Sequence, residues 1–496
     1  MSGATDLLDA LANSPMRVLG DEVALGGPVL RARALAIAGA LDARGAHVVA
    51  SRLDNGPDWL ALDLALNALG AVHVPIPTFF SAAQAAHAMA RSGADLCVLD
   101  AGAGPQRADA APLVAGLQAR ILPGRGATIP PGTACITFTS GTTGQPKGVC
   151  VGAHAMRTVA SALVEASAPL APRRHLCLMP LSTLLEQIAG LHGALASGAD
   201  IAVPSLARIG YSGAAGLDVP RLLACLHRYA PHSAIVFPQL LLALVTAAEQ
   251  GLALPSSLRF VAVGGGRVGA RLLARAAAVG LPVFEGYGLS ECVSVVALNR
   301  PGATRPGSVG RPLPHARVSV VDGELQVTGV RCIAYLGEDA PPPGPIATGD
   351  LGHIDDDGYV HVTGRRKHMF ITAYGRNVSP EWVESELTQH PLFAQAVVMG
   401  EARPFNVAIA WLRDPDADDA AVARALSAVN AGLPDYARVA HVVRAARPFS
   451  AADDLLTDNG RPRRDAIAHA YADAIARVYG DASDAPFPLP AQELPA

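Results

Sequence analysis

From about residue 30 to about residue 300, short apolar runs alternate with segments of helical period, and that alternation leaves few architectures open. HVVASRL (47–53), AVHVPI (71–76), ACITFT (134–139), HLCLMPL (175–181), IAVPS (201–205), AIVFP (234–238), RFVAV (259–263) and PVFEGY (282–287) read as strands. Between the first two, PDWLALDLALNAL (57–69) reads as a helix opened by Pro57 and apolar on most faces, hence buried. Strands separated by helices in this way pack as α/β layers.

Beyond 300 the texture changes. RPGSVGRPLPHARVSVVDGELQVTG consists of short alternating runs broken by Gly, Pro and Asp-Gly, the signature of a small antiparallel β unit, and Asp357-Gly358 marks a further hairpin. Ser379 is then a candidate N-cap and Pro380 a first-turn proline for a helix through EWVESELTQH. We expect an N-terminal domain over 1–366, made of layered α/β subdomains plus the β unit. A small α+β domain over 367–480 and a Pro-rich tail over 481–496 complete the expectation.

Composition narrows the function. A chain of 496 residues exceeds the roughly 250–300 residues that one core sustains, so more than one domain is required. Half the residues are apolar and 17% are charged, which excludes global disorder. A net charge of -4 argues against a nucleic-acid binder or a binder of anionic membranes. The N-terminus carries no basic start followed by an apolar run, so we expect no signal peptide. The richest apolar stretch, IVFPQLLLALVTAA (235–248), is shorter than the ~18 residues of a transmembrane helix. Seven scattered cysteines without a C-x-x-C predict reduced thiols and a cytoplasmic protein. Lysine occurs only at 147 and 367, against 37 arginines, and both lysines lie in Gly-containing motifs. A compact ammonium rather than a guanidinium fork suits such positions.

TSGTTGQPKG (139–148) follows directly on a strand. Three glycines and four hydroxyl residues surround Lys147, so the segment offers a bend rich in N–H and O–H donors with a counter-charge for a polyphosphate. It is not a Walker A loop, because Gln145 and Pro146 separate Gly144 from Lys147. The match of this segment, and of those below, resembles the adenylate-forming superfamily of acyl-CoA synthetases, luciferases and peptide-synthetase adenylation domains. The resemblance implies a large α/β domain and a small mobile α+β domain, with ATP and Mg²⁺ in use. It implies that Thr139, Ser140, Gly141, Thr142, Thr143, Gly144 and Lys147 hold the ATP phosphates.

GYGLSE (286–291) resembles the family's GYG-x-TE segment. The resemblance makes Gly286, Tyr287 and Gly288 part of the ATP site, with Tyr287 against adenine, Ser290 near the phosphates and Glu291 as Mg²⁺ ligand. A hard carboxylate oxygen suits that ion. TGDLG (348–352) resembles the segment whose Asp350 accepts from the ribose hydroxyls, and GRRKHMFITAYGRNVSPEWVE (364–384) resembles the domain junction. There Arg365 is implied to bind ribose and Lys367 to be the hinge.

RFVAVGGGRVGARLLARAAAVGLPVFEG also satisfies, formally, the dinucleotide fingerprint Gly264-x-Gly266-x-x-Gly269 with Glu285 beyond, which keeps an NAD-dependent dehydrogenase open as an alternative. The resemblance instead places Gly265, Gly266 and Arg267 near adenine. MPLSTLLEQIAG (179–190) resembles LPLSH-x-x-E of the long-chain acyl-CoA synthetases, with Thr183 at the His position, and makes Thr183 and Glu186 candidates for the acid pocket. Phe237 and Pro238, at the start of PQLLLALV (238–245), are candidates for its apolar wall, with ordinary core packing the other reading of that run. No Ser-His-Asp or Cys-His set stands out.

One position departs from the family pattern. In LLTDNGRPRRDAI (455–467) the lysine that bridges the substrate carboxylate and the α-phosphate is replaced by Arg461, which keeps the charge but presents a planar fork. The expected function is an AMP-forming ligase that activates a fatty or aryl acid and transfers it to the thiol of CoA or of a carrier protein. Arg461 leaves open a ligase of the same fold using another oxyanion or acceptor, as in nitrite-activating diazotase relatives, or an ATP binder without chemistry.

Overall fold

The computed structural model describes residues 5–102, 109–139, 146–212, 216–339, 344–457 and 460–481. Ser140, Gly141, Thr142, Thr143 and Gly144 lie outside the described residues, as does the expected Pro-rich tail beyond Asp481, which itself ends a helix. The chain divides into two compact units, Met1–Arg366 and Lys367–Ala496.

The first unit contains two large sheets. In one, the described strands run in the order 110–114, 117–121, 96–100, 48–52, 72–75, 133–139, 147–152 and 334–335. Its centre is parallel, with Val48–Arg52 between Val72–Pro75 and Leu96–Asp100. The other sheet runs 311–312, 297–298, 283–287, 260–263, 233–236, 174–176, 200–202, 17–19 and 24–26, parallel from Val283–Tyr287 to Arg17–Leu19. A third, antiparallel sheet orders Ala316–Val321, Glu324–Gly329, Ile346–Ile354 and Val360–Arg365, with Asp357-Gly358 in the last turn.

The helix Pro57–Leu69 buries every residue from Trp59 to Leu66 and closes on Gly70 in the left-handed region (φ 68°). Each large apolar side chain among them contributes about 1.5–3 kcal/mol of burial. Pro238–Glu249 buries Leu240, Leu241, Leu244 and Val245 in the core, so packing is the role of most of that run, while Phe237, Pro238, Leu242 and Ala243 keep partial exposure and Gln239 is exposed. The strand expected over 175–181 is shorter, Arg174–Leu176. Beyond it side chains take the backbone donors: Met179 N–H bonds Glu186 Oε2 and Leu181 N–H bonds Asn55 Oδ1.

The second unit has a sheet of Phe393–Met399, Asn406–Leu412 and Val439–Arg444 with helices including Pro380–Thr388 and Asp419–Asn430. Ser379 occupies the N-cap position, but its side chain makes no capping bond; its hydroxyl faces Glu381 Oε2 at 3.5 Å. Among the described residues no helix is long and apolar enough to cross a membrane. All seven cysteines are free and buried.

Candidate active site

Thr139 and Lys147 are register partners across an antiparallel pair, so the donor-rich segment opens and closes at one end of a sheet. Lys147 begins the returning strand, with its side chain more than half exposed. Its ammonium lies 3.5 Å from Glu338 Oε1 and 5.3 Å from the ring centre of Tyr335. Tyr335 pairs with Val149 on that same strand, and its hydroxyl donates to Glu291 Oε1. Burial, then the bond to Glu291, pushes the Tyr335 phenol up, so it remains a donor. Cys332 N–H also bonds the Glu291 carbonyl at 2.7 Å. Lys147 and Glu291, 144 positions apart, therefore converge on one tyrosine that the motifs did not single out.

The backbone around Glu291 is strained. Val293 (φ 58°) and Ser294 (φ 87°) occupy left-handed conformations that a β-branched residue rarely adopts, a feature that concentrates at functional sites. The turn folds back so closely that a Cβ at Gly288 would stand 1.6 Å from the Ser294 carbonyl oxygen, so position 288 admits only glycine. Ser290 stands in the same turn, partly exposed, at the start of Ser290–Cys292. Glu291 is half-buried, and among the described residues no side chain holds its Oε2. A carboxylate with one oxygen fixed and one open fits a hard cation that is bound mainly through nucleotide phosphates.

A second cluster forms on Asp350, 3% exposed, which the register places opposite Arg365. Arg365 Nε meets Asp350 Oδ1 at 2.7 Å, and the Tyr287 hydroxyl donates to Oδ2 at 2.7 Å. Burial and then the Asp350 charge push the Tyr287 phenol up, so it too stays a donor and its ring is held in place. Three residues singled out from separate motifs thus form one hydrogen-bonded group.

Nearby strand ends carry the Gly264–Gly269 turn. Arg267 Nη1 donates to the carbonyls of Thr363 (2.6 Å) and Val362 (3.4 Å), tying the turn to the strand that ends at Arg365. Glu285, nearly buried, faces this turn; burial raises its carboxyl to about 8, against the opposing pull of Arg267 and the Val268 N–H. A side chain at Gly266 would reach within 3.4 Å of Pro238 Cγ. Pro238 and Phe237, whose ring lies 6.5 Å from that of Tyr211, are therefore beside the glycine turn. Gly265 takes a left-handed φ of 76°, and Gly286 pairs with Leu298 in the sheet.

The acid-pocket expectation needs correction at Glu186. It has no exposed surface: Oε1 bonds His175 Nε2 at 2.9 Å and Oε2 accepts Met179 N–H, so it supports the segment from behind. Thr183 is half-buried, with its hydroxyl donating to the Pro180 carbonyl at 2.7 Å.

The absence of a Ser-His-Asp set is also corrected. Ser51 Oγ lies 2.8 Å from His73 Nε2, and His73 Nδ1 donates to Asp63 Oδ1 at 2.9 Å, the order of a hydrolytic triad. The residues come from a strand, the next strand and the helix between them, and no contiguous motif in the sequence connects them. All three are buried, so no substrate reaches them. Asp63 also accepts from Gln187 Nε2 (2.9 Å) and His192 Nε2 (2.8 Å), both on the π-helix Glu186–His192. Burial alone would raise the Asp63 carboxyl, but His192 and His73 outweigh it and hold it well below the usual carboxylate range. His175, Cys177 and Glu186 bring donor atoms within 4.8 Å of one another, and His175 is already held between Ser233 and Glu186.

In the second unit Lys367 is the first residue, exposed in a turn. Arg461 is exposed; its carbonyl accepts the Thr457 N–H at 2.7 Å and its own N–H donates to Thr457 Oγ1 at 3.0 Å. Its neighbours have other partners: Arg463 meets Asp454, and Arg464 forms a two-pronged buried pair with Glu384 at 2.6 and 2.5 Å.

Residues 27–336 match the family described as AMP-binding enzyme, and residues 367–483 match the AMP-binding enzyme C-terminal domain. A long-chain-fatty-acid–CoA ligase of Mycobacterium bovis is 38% identical over 194 residues, 37% of this chain and 32% of its own length. A 2-succinylbenzoate–CoA ligase of Bacillus subtilis is 30% identical over 288 residues, 54% of this chain and 56% of its own length. The chain thus spans 32% to 56% of these relatives' lengths. Among solved structures, an anthranilate CoA ligase in complex with anthranoyl-AMP superposes with a TM-score of 0.79 at 19% identity, covering 95% of this chain and 98% of that one. The amide bond synthetase McbA of Marinactinospora thermotolerans gives 0.74 at 24% identity over 94% and 99% of the two chains. At such identities the likeness is one of fold.

Proposed function

The chain belongs to the AMP-binding enzymes, the adenylate-forming superfamily, and from that membership we propose an ATP-dependent, AMP-forming ligase that activates a fatty or aryl carboxylic acid and transfers it to a thiol, that of CoA first. The observation that supports this reading best is the convergence of Lys147 and Glu291 on Tyr335 at the end of the strand pair carrying the phosphate segment.

In this reading the acid's oxyanion attacks the ATP α-phosphorus, the bond to pyrophosphate breaks, and an acyl-adenylate forms. Lys147 faces the charge that builds on the departing pyrophosphate, a preorganised electrostatic contribution. Tyr287, locked by Asp350, presents its ring to adenine, while Asp350 and Arg365 orient the ribose. Glu291 would hold Mg²⁺, which would supply neutralisation of the phosphate charge. The thiol then attacks the acyl carbon and AMP leaves. Lys367 serves as the hinge that opens the second unit, and Arg461 stands in for the lysine of adenylation. Thr183, Phe237 and Pro238 shape the acid's surroundings.

Pyrophosphate and AMP release across a panel of fatty and aryl acids, with CoA, tests the proposal. Thioester formation with at least one acid supports it, and pyrophosphate release without thioester under every acid overturns the CoA assignment. One observation favours a second reading: Arg461 is a fork where the family carries a point charge. An amine acceptor or a non-carboxylate oxyanion would then yield AMP without thioester.

A further inference from the structure

We propose that Tyr335 is a positioning residue for nucleotide binding: its hydroxyl occupies one oxygen of Glu291 and its ring spaces Lys147 from that carboxylate, so that Glu291 meets the metal through a single oxygen. The inference rests on the assignment of the phosphate and metal site above. Three contacts carry it. The hydroxyl donates to Glu291 Oε1, leaving Oε2 without a described partner. The Lys147 ammonium lies 5.3 Å from the ring centre, on Tyr335 rather than on Glu291. The backbone fixes the ring, because Tyr335 pairs with Val149 and Leu336 N–H bonds the Gly148 carbonyl at 2.8 Å, one residue from Lys147.

Without such a spacer an ammonium and a carboxylate at one site attract each other, and their mutual pairing competes with phosphate and metal. Tyr335 prevents this and supplies a neutral donor in place of the second charge. Glu338, at 3.5 Å from Lys147, is the counter-ion a triphosphate displaces; both side chains are more than half exposed, so the exchange is cheap. A carboxylate restricted to one oxygen also matches Mg²⁺, which keeps several waters in a small octahedral shell, better than Ca²⁺, whose larger shell also accepts both oxygens of one carboxylate.

The test is calorimetric titration of ATP into the full-length protein and into Tyr335→Phe and Glu291→Gln, each without divalent metal, with Mg²⁺ and with Ca²⁺, beside thermal melting. In the wild type Mg²⁺ tightens ATP binding. Tyr335→Phe is expected to lose about tenfold of that gain, as removal of a ligand-orienting partner generally does, and to narrow the preference for Mg²⁺ over Ca²⁺. Its metal-free ATP affinity and melting temperature change much less. Glu291→Gln loses the Mg²⁺ gain entirely. If Tyr335→Phe keeps the full Mg²⁺ gain while Glu291→Gln loses it, the metal site stands and the positioning role is overturned. If Tyr335→Phe weakens ATP equally with and without metal and melts early, the tyrosine is structural and the proposal fails. If Glu291→Gln retains the Mg²⁺ gain, the metal assignment itself falls.

Discussion

Asp63 and Glu291 are both carboxylates of the first unit that accept a hydrogen bond from a ring-bearing side chain, but their surroundings differ in every other respect. Asp63 is buried within a helix and accepts from His73, Gln187 and His192. Glu291 is half-buried on a strained turn, with one oxygen held by Tyr335. The Asp63 cluster has the geometry of a hydrolytic triad and no access, whereas the Glu291 cluster has access and, among the described residues, one carboxylate oxygen without a partner. Geometry alone therefore does not mark a reactive site; a functional group also needs a face that substrate can reach. The buried cluster joins the π-helix to the helix Pro57–Leu69, and Ile188 of that π-helix belongs to the same apolar cluster as Val293, so it is part of the scaffold under the Glu291 turn.

That contrast breaks if the buried cluster proves dispensable for folding. Asp63→Ala leaves three donors without an acceptor and is expected to destabilise the protein by about 3–5 kcal/mol, read by urea unfolding. Because the Asp63 carboxyl is held below its ordinary range, the stability it contributes is present above that range. The difference between wild type and the variant should shrink as pH falls below the usual carboxylate range and stay constant above it. A variant as stable as wild type at neutral pH would remove the scaffold role.

The opposite signature is expected at Lys147. Lys147→Ala should lower ATP-dependent pyrophosphate release by about 10²–10³ while changing stability by less than about 0.5 kcal/mol, since its side chain is exposed. Unchanged release would detach the lysine from the phosphates.

Glu285 lies between the two extremes, buried yet beside the candidate site. With its carboxyl raised from 4.5 to about 8, the native state holds a proton that the unfolded chain gives up. Stability is fully present below 4.5 and falls as pH rises towards about 8. Glu285→Gln should flatten that fall, a relative gain on the order of 4 kcal/mol between the two ends, measured by unfolding across the pH series. Parallel pH curves for the two proteins would show that Glu285 is ionised in the fold.

The smallest effect is expected at Arg461. Replacing the fork with a point charge, Arg461→Lys, should raise adenylation of carboxylic acids about tenfold if the position serves that step, and no gain with any acid would favour another oxyanion.

Much of this is legible in the residues alone. Pro57 and Gly70 bracket a helix whose limits, 57–69, follow from those two punctuating residues, and the parallel strands follow the apolar runs because layers on both faces cover them. The group of Tyr287, Asp350 and Arg365 is legible only as three separate motifs. Tyr335 is invisible there: IAY reads as two or three residues of any strand, and the sole hint is a phenol that needs a partner when buried. The fate of Glu186 is likewise hidden, because a motif position does not say towards which side of a helix a carboxylate points.

By itself, then, the sequence determined the layered architecture, the site's chemical inventory and the anomaly at Arg461, because periodicity and residue type are local properties of the chain. Tertiary structure alone decided which charges meet water and which meet each other. Hydrogen bonds such as Asp63 to His192 and Glu291 to Tyr335 join residues 129 and 44 positions apart, and burial, which sets their strength and their access, exists only once the layers close.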